Sequence, residues 1–170
     1  MEKSFVLSHG ALQIPCKLRY PEDETIRRLV LGVHGFGGCT DDAIQVGIAE
    51  EMELFYAAAL RFDFPAHGEN PLDSEGLTLP NCRDTLLAAA RWLRQQYPEV
   101  EDLCVFATGF GAYMALLVLE ELIAILISTL GTFDMSAPPP NNADDAFSAA
   151  TAASRPCAIS VAANANTFLA

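Results

Sequence analysis

The sequence is poor in basic residues. Its 170 residues include 10 Lys and Arg against 22 Asp and Glu, which gives a formal net charge of −12. After Arg94 the only basic residue is Arg155. Binding to a nucleic-acid backbone depends on clustered Lys and Arg, so this composition argues against a nucleic-acid partner. The excess of acidic residues is explained more simply as a contribution to solubility.

Paired cysteines and long uninterrupted apolar runs are also missing. The five cysteines are scattered without a C-x-x-C pair, so no metal or cofactor is predicted, and reduced thiols in a cytoplasmic protein are expected. The first residues lack the apolar segment of a secretory signal. The most apolar window, residues 113–130, carries Glu120 and Glu121 near its centre. Acidic groups are costly inside a bilayer, so no membrane span is predicted.

Hydrophobic residues are abundant, at 51% of the chain, and the length is sufficient for the core of one domain. Apolar runs alternate with amphipathic segments. The expected strands are a pair within residues 4–20, then 29–33, 57–64, about 100–108 and 123–129, and the expected helices are about 40–55, 81–97 and 111–121. This alternation predicts an α/β fold with a doubly wound, mostly parallel sheet. Pro15 predicts that the second strand lies toward an edge of the sheet.

The composition changes after Met135. Residues 136–170 are rich in Ala, Pro, Asn and Ser, with three consecutive prolines at 138–140. Such a segment buries little apolar surface. We therefore expect a core at residues 1–135 and a low-complexity, poorly packed tail at 136–170, in which alanine propensity favours a helix at about 143–153.

Three glycine-containing loops follow expected strands. They are HGFGG at residues 34–38, DFPAHGEN at 63–70 and ATGFG at 107–111. Loops at the carboxyl ends of parallel strands meet at one ligand crevice. Their order and spacing over residues 1–135 resemble the α/β-hydrolase superfamily, particularly its serine esterases, acyl hydrolases and lysophospholipase-like members. Ala66 stands where that family usually has glycine, and Asn70 where it often has serine.

The resemblance implies a role for each loop. It identifies residues 107–111 as a nucleophile elbow in which Gly109 occupies the position of the catalytic serine. It also implies an oxyanion hole formed by the backbone N–H groups of Phe36 and Phe110. The other pocket-loop residues that it implies are His34, Gly35, Gly37, Asp63, His67, Gly68, Thr108 and Gly111. Thr108 is a poor replacement nucleophile, because centring the motif on it would put phenylalanines in the crowded flanking positions.

The catalytic histidine of the family is missing as well. In that family an acid and then a histidine follow the nucleophile, but the histidines of this chain are His9, His34 and His67. Candidate acids downstream, at Asp134, Asp144 and Asp145, would have no base to orient.

Several residues allow more than one interpretation. An architectural role for His34, with its ring bonded to backbone, is favoured over direct catalysis. His67 lies near Asp63 and Glu69, and a hydrogen-bonded turn is favoured over a metal site. The loop at 34–38 lacks the lysine and Ser/Thr of a phosphate-binding loop. Cys39 and Cys104 are expected to be buried, inert thiols.

The leading hypothesis is a pseudoenzyme or incomplete hydrolase that retains an oxyanion-type pocket for a small apolar or acyl ligand. The alternatives are an active ester or acyl hydrolase with a non-standard nucleophile, and a noncatalytic interaction module. The expected junction between helix and strand at residues 120–123 is unusually short. It suggests a chain that is truncated, deleted or frame-altered after about residue 120, with an unpaired sheet edge through which an oligomer would form.

Overall fold

The computed structural model of the protein describes residues 1–23 and 25–127. Within these residues the chain forms one five-stranded sheet and four helices. The strands are β1 (Glu2–His9), β2 (Leu12–Arg19), β3 (Arg28–Val33), β4 (Ala57–Phe62) and β5 (Leu103–Ala107), and the helices are α1 (Ala43–Glu53), α2 (Leu79–Gln96), α3 (Gly109–Leu117) and α4 (Leu119–Ile127). The predicted boundary at residue 135, the tail with its helix, and the acids Asp134, Asp144 and Asp145 lie outside the described residues.

The sheet is mixed, with the strand order β1-β2-β4-β3-β5. β2 is antiparallel to both β1 and β4, whereas β3 is parallel to both β4 and β5. In the centre of the sheet Leu31 of β3 lies beside Leu60 of β4 and Val105 of β5. Because β3, β4 and β5 are parallel, their carboxyl ends and the loops that follow share one edge of the sheet.

Helices cover both faces of this sheet. On one face Leu31 packs in a core that includes Leu86 of α2 and Met114 of α3. On the other face Val30 packs with Ala49 of α1. Neighbouring residues of β3 enter different cores because consecutive side chains of a strand point to opposite faces. The predicted α/β, doubly wound fold is confirmed.

Helix α2 is close to its predicted limits. The Asn81 backbone N–H donates to the Thr78 hydroxyl at 3.3 Å, and Pro80 lies in the first turn, where a missing N–H leaves no acceptor unsatisfied. The helix ends at Gln96, two residues before Pro98. None of the helices in the described part of the chain combines the length and the hydropathy that a membrane crossing requires.

Pro15 does not place β2 at an edge, since β2 lies between β1 and β4. The β2–β4 pairing ends at Cys16 and Phe62, and beyond it the Asp63 N–H donates to the Pro15 carbonyl at 3.0 Å. The reciprocal bond would need a donor that proline lacks. The side-chain amide of Asn70 instead donates to the Asp63 carbonyl at 3.0 Å. An interior strand therefore tolerates this proline because a side chain supplies the donor.

The strand predicted at residues 123–129 is wrong, because helix α4 continues to Ile127. Leu122 and Ile125, one helical turn apart, are buried in the core beside α2, whereas Ile123 is exposed. Short apolar runs of β-branched residues do not distinguish a strand from a helix. The short junction predicted at residues 120–123, which suggested a truncated chain, lies inside α4, and α3 and α4 meet at Val118 instead. Within the described residues β5 pairs only with β3.

Candidate functional site

The three glycine-containing loops lie together at the carboxyl edge of β3, β4 and β5. The ring centroid of Phe36, in the loop after β3, is 5.4 Å from that of His67 in the loop after β4. It is 6.4 Å from that of Phe110, which follows β5. Both pairs meet edge to face, an arrangement that aromatic rings favour. One side chain therefore contacts both other loops, as expected for a common crevice.

Asp63 joins two of these loops. Its carboxylate is fully buried and accepts hydrogen bonds from the backbone N–H groups of Thr40 at 2.7 Å and Glu69 at 2.9 Å. Gly68 has φ +53°, and a Cβ on it would lie 2.3 Å from a carboxylate oxygen of Asp63. The glycine is required here both for its conformation and for this close approach.

A buried arginine also bonds to Thr40, the residue whose N–H donates to Asp63. Arg61, in β4, is 2% exposed and donates from Nη1 to the Thr40 carbonyl at 2.8 Å. Its Nη2 pairs with the carboxylate of Glu2. Thr40 is thus fixed through both its N–H and its carbonyl. This role of Arg61 was not predicted, because the sequence around an arginine in an apolar strand does not indicate which loop it bonds.

The ring of His34 is bonded on both sides. Its Nε2 accepts a hydrogen bond from the Phe64 backbone N–H at 3.1 Å, which leaves the proton on Nδ1, 2.7 Å from the Gly35 carbonyl. The side chain is 1% exposed, and burial lowers the pKa of His34. The neutral ring connects the loops after β3 and β4. These contacts match the architectural role expected for this histidine.

His67 also bonds to backbone, with its Nδ1 2.8 Å from the Pro65 carbonyl. Its ring centroid lies 5.2 Å from that of His34. Glu69 contributes its backbone N–H to Asp63, as described above. Within residues 1–23 and 25–127 no group of three or more His, Cys, Asp and Glu residues is placed to hold a metal ion. The contacts around His67 are those of a hydrogen-bonded turn.

The strand-to-helix turn after β5 has the geometry of an elbow. Thr108 is extended and Gly109, the first residue of α3, has φ +48°. The Thr108 N–H donates to the Val33 carbonyl at 3.1 Å, which ties the turn to β3. Apart from its chain neighbours and the backbone of its own helix, a Cβ on Gly109 would meet only the Cα of Gly35, at 3.9 Å. The position implied for the nucleophile is therefore open to a side chain.

The flanking glycines are packed much more tightly. A Cβ on Gly111 would lie 2.4 Å from the His34 carbonyl oxygen and 2.7 Å from that of Val33. A Cβ on Gly35 would lie 3.3 Å from the Thr108 carbonyl oxygen. Gly37 faces open space but has φ +75°. The loops after β3 and β5 approach so closely because glycine occupies positions 35 and 111.

The backbone N–H groups of Phe36 and Phe110 stand at this contact. Phe36 follows Gly35, and Phe110 is in the first turn of α3, where backbone N–H groups have no acceptor within the helix. In the part of the chain that the structure describes, neither group is a donor in the backbone hydrogen bonds of loops, turns and helix caps. Both remain available to an acceptor in the crevice.

Exposed aromatic rings border the elbow. Phe36 is 76% exposed and Tyr113 is 53% exposed. Between them lies Phe110, whose ring centroid is 6.4 Å from that of Phe36 and 6.5 Å from that of Tyr113. Tyr113 was not predicted as a residue of the site. Its spacing of three residues from Phe110 on a helix was the available signal, because such residues share a face.

The cysteines near the crevice are half-buried rather than buried. Cys39 and Cys104 are both of intermediate exposure, and the four cysteines in the described residues form no disulfide. The backbone N–H of Cys39 donates to the Asp42 carboxylate at 3.1 Å, and its Sγ lies 3.8 Å from the other carboxylate oxygen. A carboxylate is a poor partner for generating a thiolate.

No protein-family model matches the sequence, and no curated protein matches it either. Solved structures are similar in fold. Est1E from Butyrivibrio proteoclasticus with ferulic acid has a TM-score of 0.65 at 17% identity, over 81% of this chain and 59% of that one. An esterase from Pyrococcus furiosus has a TM-score of 0.60 at 21% identity, over 71% and 45% of the two chains. Dienelactone hydrolase from Anabaena variabilis has a TM-score of 0.56 at 20% identity, over 68% of this chain and 55% of that one.

The chain therefore has the α/β-hydrolase fold. Identities of this size establish the fold and not the reaction. The chain spans about half the length of the similar structures, between 45% and 59% of the three named above.

Proposed function

We propose that the protein is an α/β-hydrolase-fold protein without ordinary serine-hydrolase activity, which retains the oxyanion-type pocket as a site for a small acyl ligand. The observation that carries the proposal is Gly109, which has the positive φ of the elbow and no nucleophile. The unbonded N–H groups of Phe36 and Phe110 support the retained pocket. One of the similar structures is that of Est1E with ferulic acid bound.

The histidines support the absence of a triad. Both ring nitrogens of His34 are bonded to backbone, and Nδ1 of His67 lies against the Pro65 carbonyl. His9 ends β1, in the hairpin with β2. No histidine follows Gly109 in the sequence. When the nucleophile and the base are removed from a serine hydrolase, it still binds its substrate but stabilises the transition state only weakly.

Fluorophosphonate labelling tests this proposal. We expect no adduct on the purified 170-residue chain, read by intact mass and peptide mapping. We also expect Gly109→Ser to remain without esterase activity on an activated acetate ester, because a serine without a general base is a weak nucleophile. Gly109→Ala is the matched control, since it carries the same backbone strain without a hydroxyl. Esterase activity in Gly109→Ser above that of Gly109→Ala would contradict the proposal.

An active hydrolase with a non-standard nucleophile is the alternative, and the open N–H pair of the crevice favours it. The same labelling experiment decides it. A specific adduct in the wild-type protein, mapped to Thr108 or Cys39, would establish that alternative.

Assembly and location belong to the proposal as well. A noncatalytic interaction module would use the exposed apolar side chains or the edge strand β5, and a concentration-dependent mass in light scattering would support it. A cytoplasmic location, expected from the scattered cysteines of the sequence, is tested by fractionation.

A further inference from the structure

A cavity of about 580 Å³ lies between helices α2 and α4. This volume is within the range of pockets that bind small molecules. The end of α2 that borders the cavity precedes the amino end of β5, whereas the crevice lies at the carboxyl ends of the strands. The cavity is therefore a separate site, toward the opposite edge of the sheet. The residues that form its two walls come from the end of α2 and from α4: Arg91, Arg94, Pro98, Glu121, Ala124 and Ile125.

Two arginines form the polar wall of the cavity. Arg91 and Arg94 are three residues apart in α2, so they share one face of the helix. Arg94 is 4% exposed, whereas Arg91 is exposed. Within the part of the chain that the structure describes, the Arg91 side chain forms no ion pair or hydrogen bond. Each guanidinium has five N–H donors and no acceptor, so this wall selects a ligand that is rich in acceptor atoms.

The acidic residue of the cavity already has a partner. The Glu121 carboxylate accepts a hydrogen bond from Nη2 of Arg83 at 3.0 Å. Among the described residues that line the cavity, the other charged groups are the two guanidinium groups. The partial negative charge at the carboxyl end of α2 and the net charge of −12 oppose the binding of an anion. An anion must therefore contact both guanidinium groups directly in order to bind.

A phosphate monoester can make both contacts. Its three terminal oxygens can accept from two guanidinium groups at once, and near neutral pH it carries about 1.5 to 2 negative charges. A monocarboxylate has two oxygens and one charge, so it fills the N–H fork of a single guanidinium. The two neighbouring arginines therefore favour a phosphate over a carboxylate.

The apolar wall determines the body of the ligand. Pro98 after α2 and Ala124 and Ile125 of α4 provide aliphatic surface, and the described residues of the lining include no aromatic side chain. An aliphatic group gains free energy when it leaves water to contact such a wall. We propose that the cavity binds a phosphate monoester with a short aliphatic body. This inference is independent of the proposed function of the crevice.

Titration of the full chain with three matched anions tests the inference. The probes are butyl phosphate, inorganic phosphate and pentanoate, at about pH 7.5 and about 0.15 M salt, followed by backbone amide resonances in NMR spectra. We expect butyl phosphate to shift the amides of Arg91 and Ala124 in a saturable manner. Its affinity should be about tenfold higher than that of inorganic phosphate, because of its methylene groups, and about tenfold higher than that of pentanoate, because of the second guanidinium. Equal affinities for butyl phosphate and either other probe, or no saturable shift, would overturn the inference.

Substitution of the exposed arginine tests the polar wall without disturbing the core. Arg91→Gln should weaken the binding of butyl phosphate by about tenfold or more. Arg91→Lys keeps the charge but not the planar fork, so its loss should be smaller. The charge-matched control is Lys17→Gln, since Lys17 bonds to Asp41 outside the cavity. It should change the affinity by less than about twofold. Equal losses in Arg91→Gln and Lys17→Gln would show that net charge governs binding and would overturn the site.

A substitution on α4 should strengthen binding. Glu121→Gln removes the carboxylate that lines the cavity, so butyl phosphate should bind about two- to threefold more tightly. A role of Glu121 that is only structural would not produce this increase. Weaker binding of butyl phosphate by a folded Glu121→Gln variant would contradict the proposed contacts.

A substitution in the crevice distinguishes the two sites. Gly109→Ser should leave the binding of butyl phosphate unchanged, because Gly109 lies at the carboxyl edge of the sheet. A loss as large as that in Arg91→Gln would place the phosphate in the crevice and overturn the inference.

Discussion

Two residues other than glycine have positive φ in the described chain, and their surroundings differ. Tyr56 has φ 58° and Ala66 has φ 61°. The ring of Tyr56 lies under the guanidinium of Arg27, 4.9 Å from its carbon, and its carbonyl accepts from the Arg27 N–H at 2.8 Å. Ala66 is exposed, and a methyl group forms no comparable contact. At Ala66 the backbone strain is not offset by the side chain.

Ala66→Gly should therefore stabilise the protein, by up to about 1 kcal/mol. Relief of the left-handed strain, about 1–2 kcal/mol, is opposed by the larger backbone entropy of glycine in the unfolded chain, about 0.5–1 kcal/mol. Chemical denaturation measures the difference.

The control for this substitution is Ala11→Gly in the β1–β2 turn, an exposed alanine without positive φ. It should lower the stability slightly, because no strain is relieved. Equal changes at the two alanines would show that the conformation of Ala66 carries no strain.

Single residues also show what sequence can and cannot predict of the site. The glycines at 35, 109 and 111 were identified through the resemblance of the loops at 34–38 and 107–111 to those of the α/β-hydrolase superfamily. The partners of Asp63 and Arg61 at Thr40 were not, since no local pattern indicates which distant backbone group a buried polar side chain will bond.

Among the elements, helix α1 is packed on the sheet through a polar side chain. Gln45 is 3% exposed, and within the described residues neither its Oε1 nor its Nε2 has a hydrogen-bond partner. It lies over Gly32 of β3, where an added Cβ would be 2.5 Å from Gln45 Oε1. A buried amide without partners reduces the stability of the contact between helix and sheet.

Gln45→Met should raise the free energy of unfolding by about 1–2 kcal/mol, because it keeps the volume and removes two buried polar atoms. Thermal or denaturant unfolding measures the change. Gln95→Met, at an exposed position of α2, should change it by less than about 0.5 kcal/mol. A loss of stability in Gln45→Met would indicate a water molecule bonded to the amide.

The elements also mark the limit of pattern-based prediction. Four elements were predicted correctly because each has a clear pattern of apolar residues and ends at a recognisable residue: β3, β4, β5 and α2. α4 was mistaken for a strand because an apolar run fits both structures. The position of β2 inside the sheet was not predicted, because Pro15 is tolerated there through a hydrogen bond from Asn70 to the Asp63 carbonyl, and Asn70 is 55 residues away from Pro15 in the sequence. Only the tertiary structure reveals that bond.

For the whole molecule, His34 couples protonation to folding. Burial is the largest cause of its lowered pKa, the bond to the Gly35 carbonyl opposes it, His67 lowers it further, and Asp63 and Asp42 raise it. In the folded state the pKa lies below the ordinary value of 6.5. As pH falls, the unfolded chain therefore binds this proton first. The contribution of His34 is fully present above about pH 6.5 and is lost as pH falls toward the folded-state pKa.

The free energy of unfolding should consequently fall on acidification below about pH 6.5, with a contribution from His34 of at most about 1.4 kcal/mol per pH unit. His34→Gln should reduce the dependence of the free energy of unfolding on pH, whether the variant itself is more or less stable than the wild-type protein. Phe64→Leu removes a ring 5.1 Å from that of His34 and keeps the backbone donor. It should lower the stability at every pH and retain the slope. An unchanged slope in His34→Gln would contradict this assignment.

The bond between Asn70 and the Asp63 carbonyl has a chemical consequence. Asparagine deamidates in neutral solution mainly when the backbone nitrogen of the next residue attacks its side-chain amide. The next residue here is Pro71, whose nitrogen carries no hydrogen and is closed in a ring. The amide that completes the sheet beside Pro15 is thereby protected from the commonest route of spontaneous ageing. One proline creates the need for this donor, and a second preserves it.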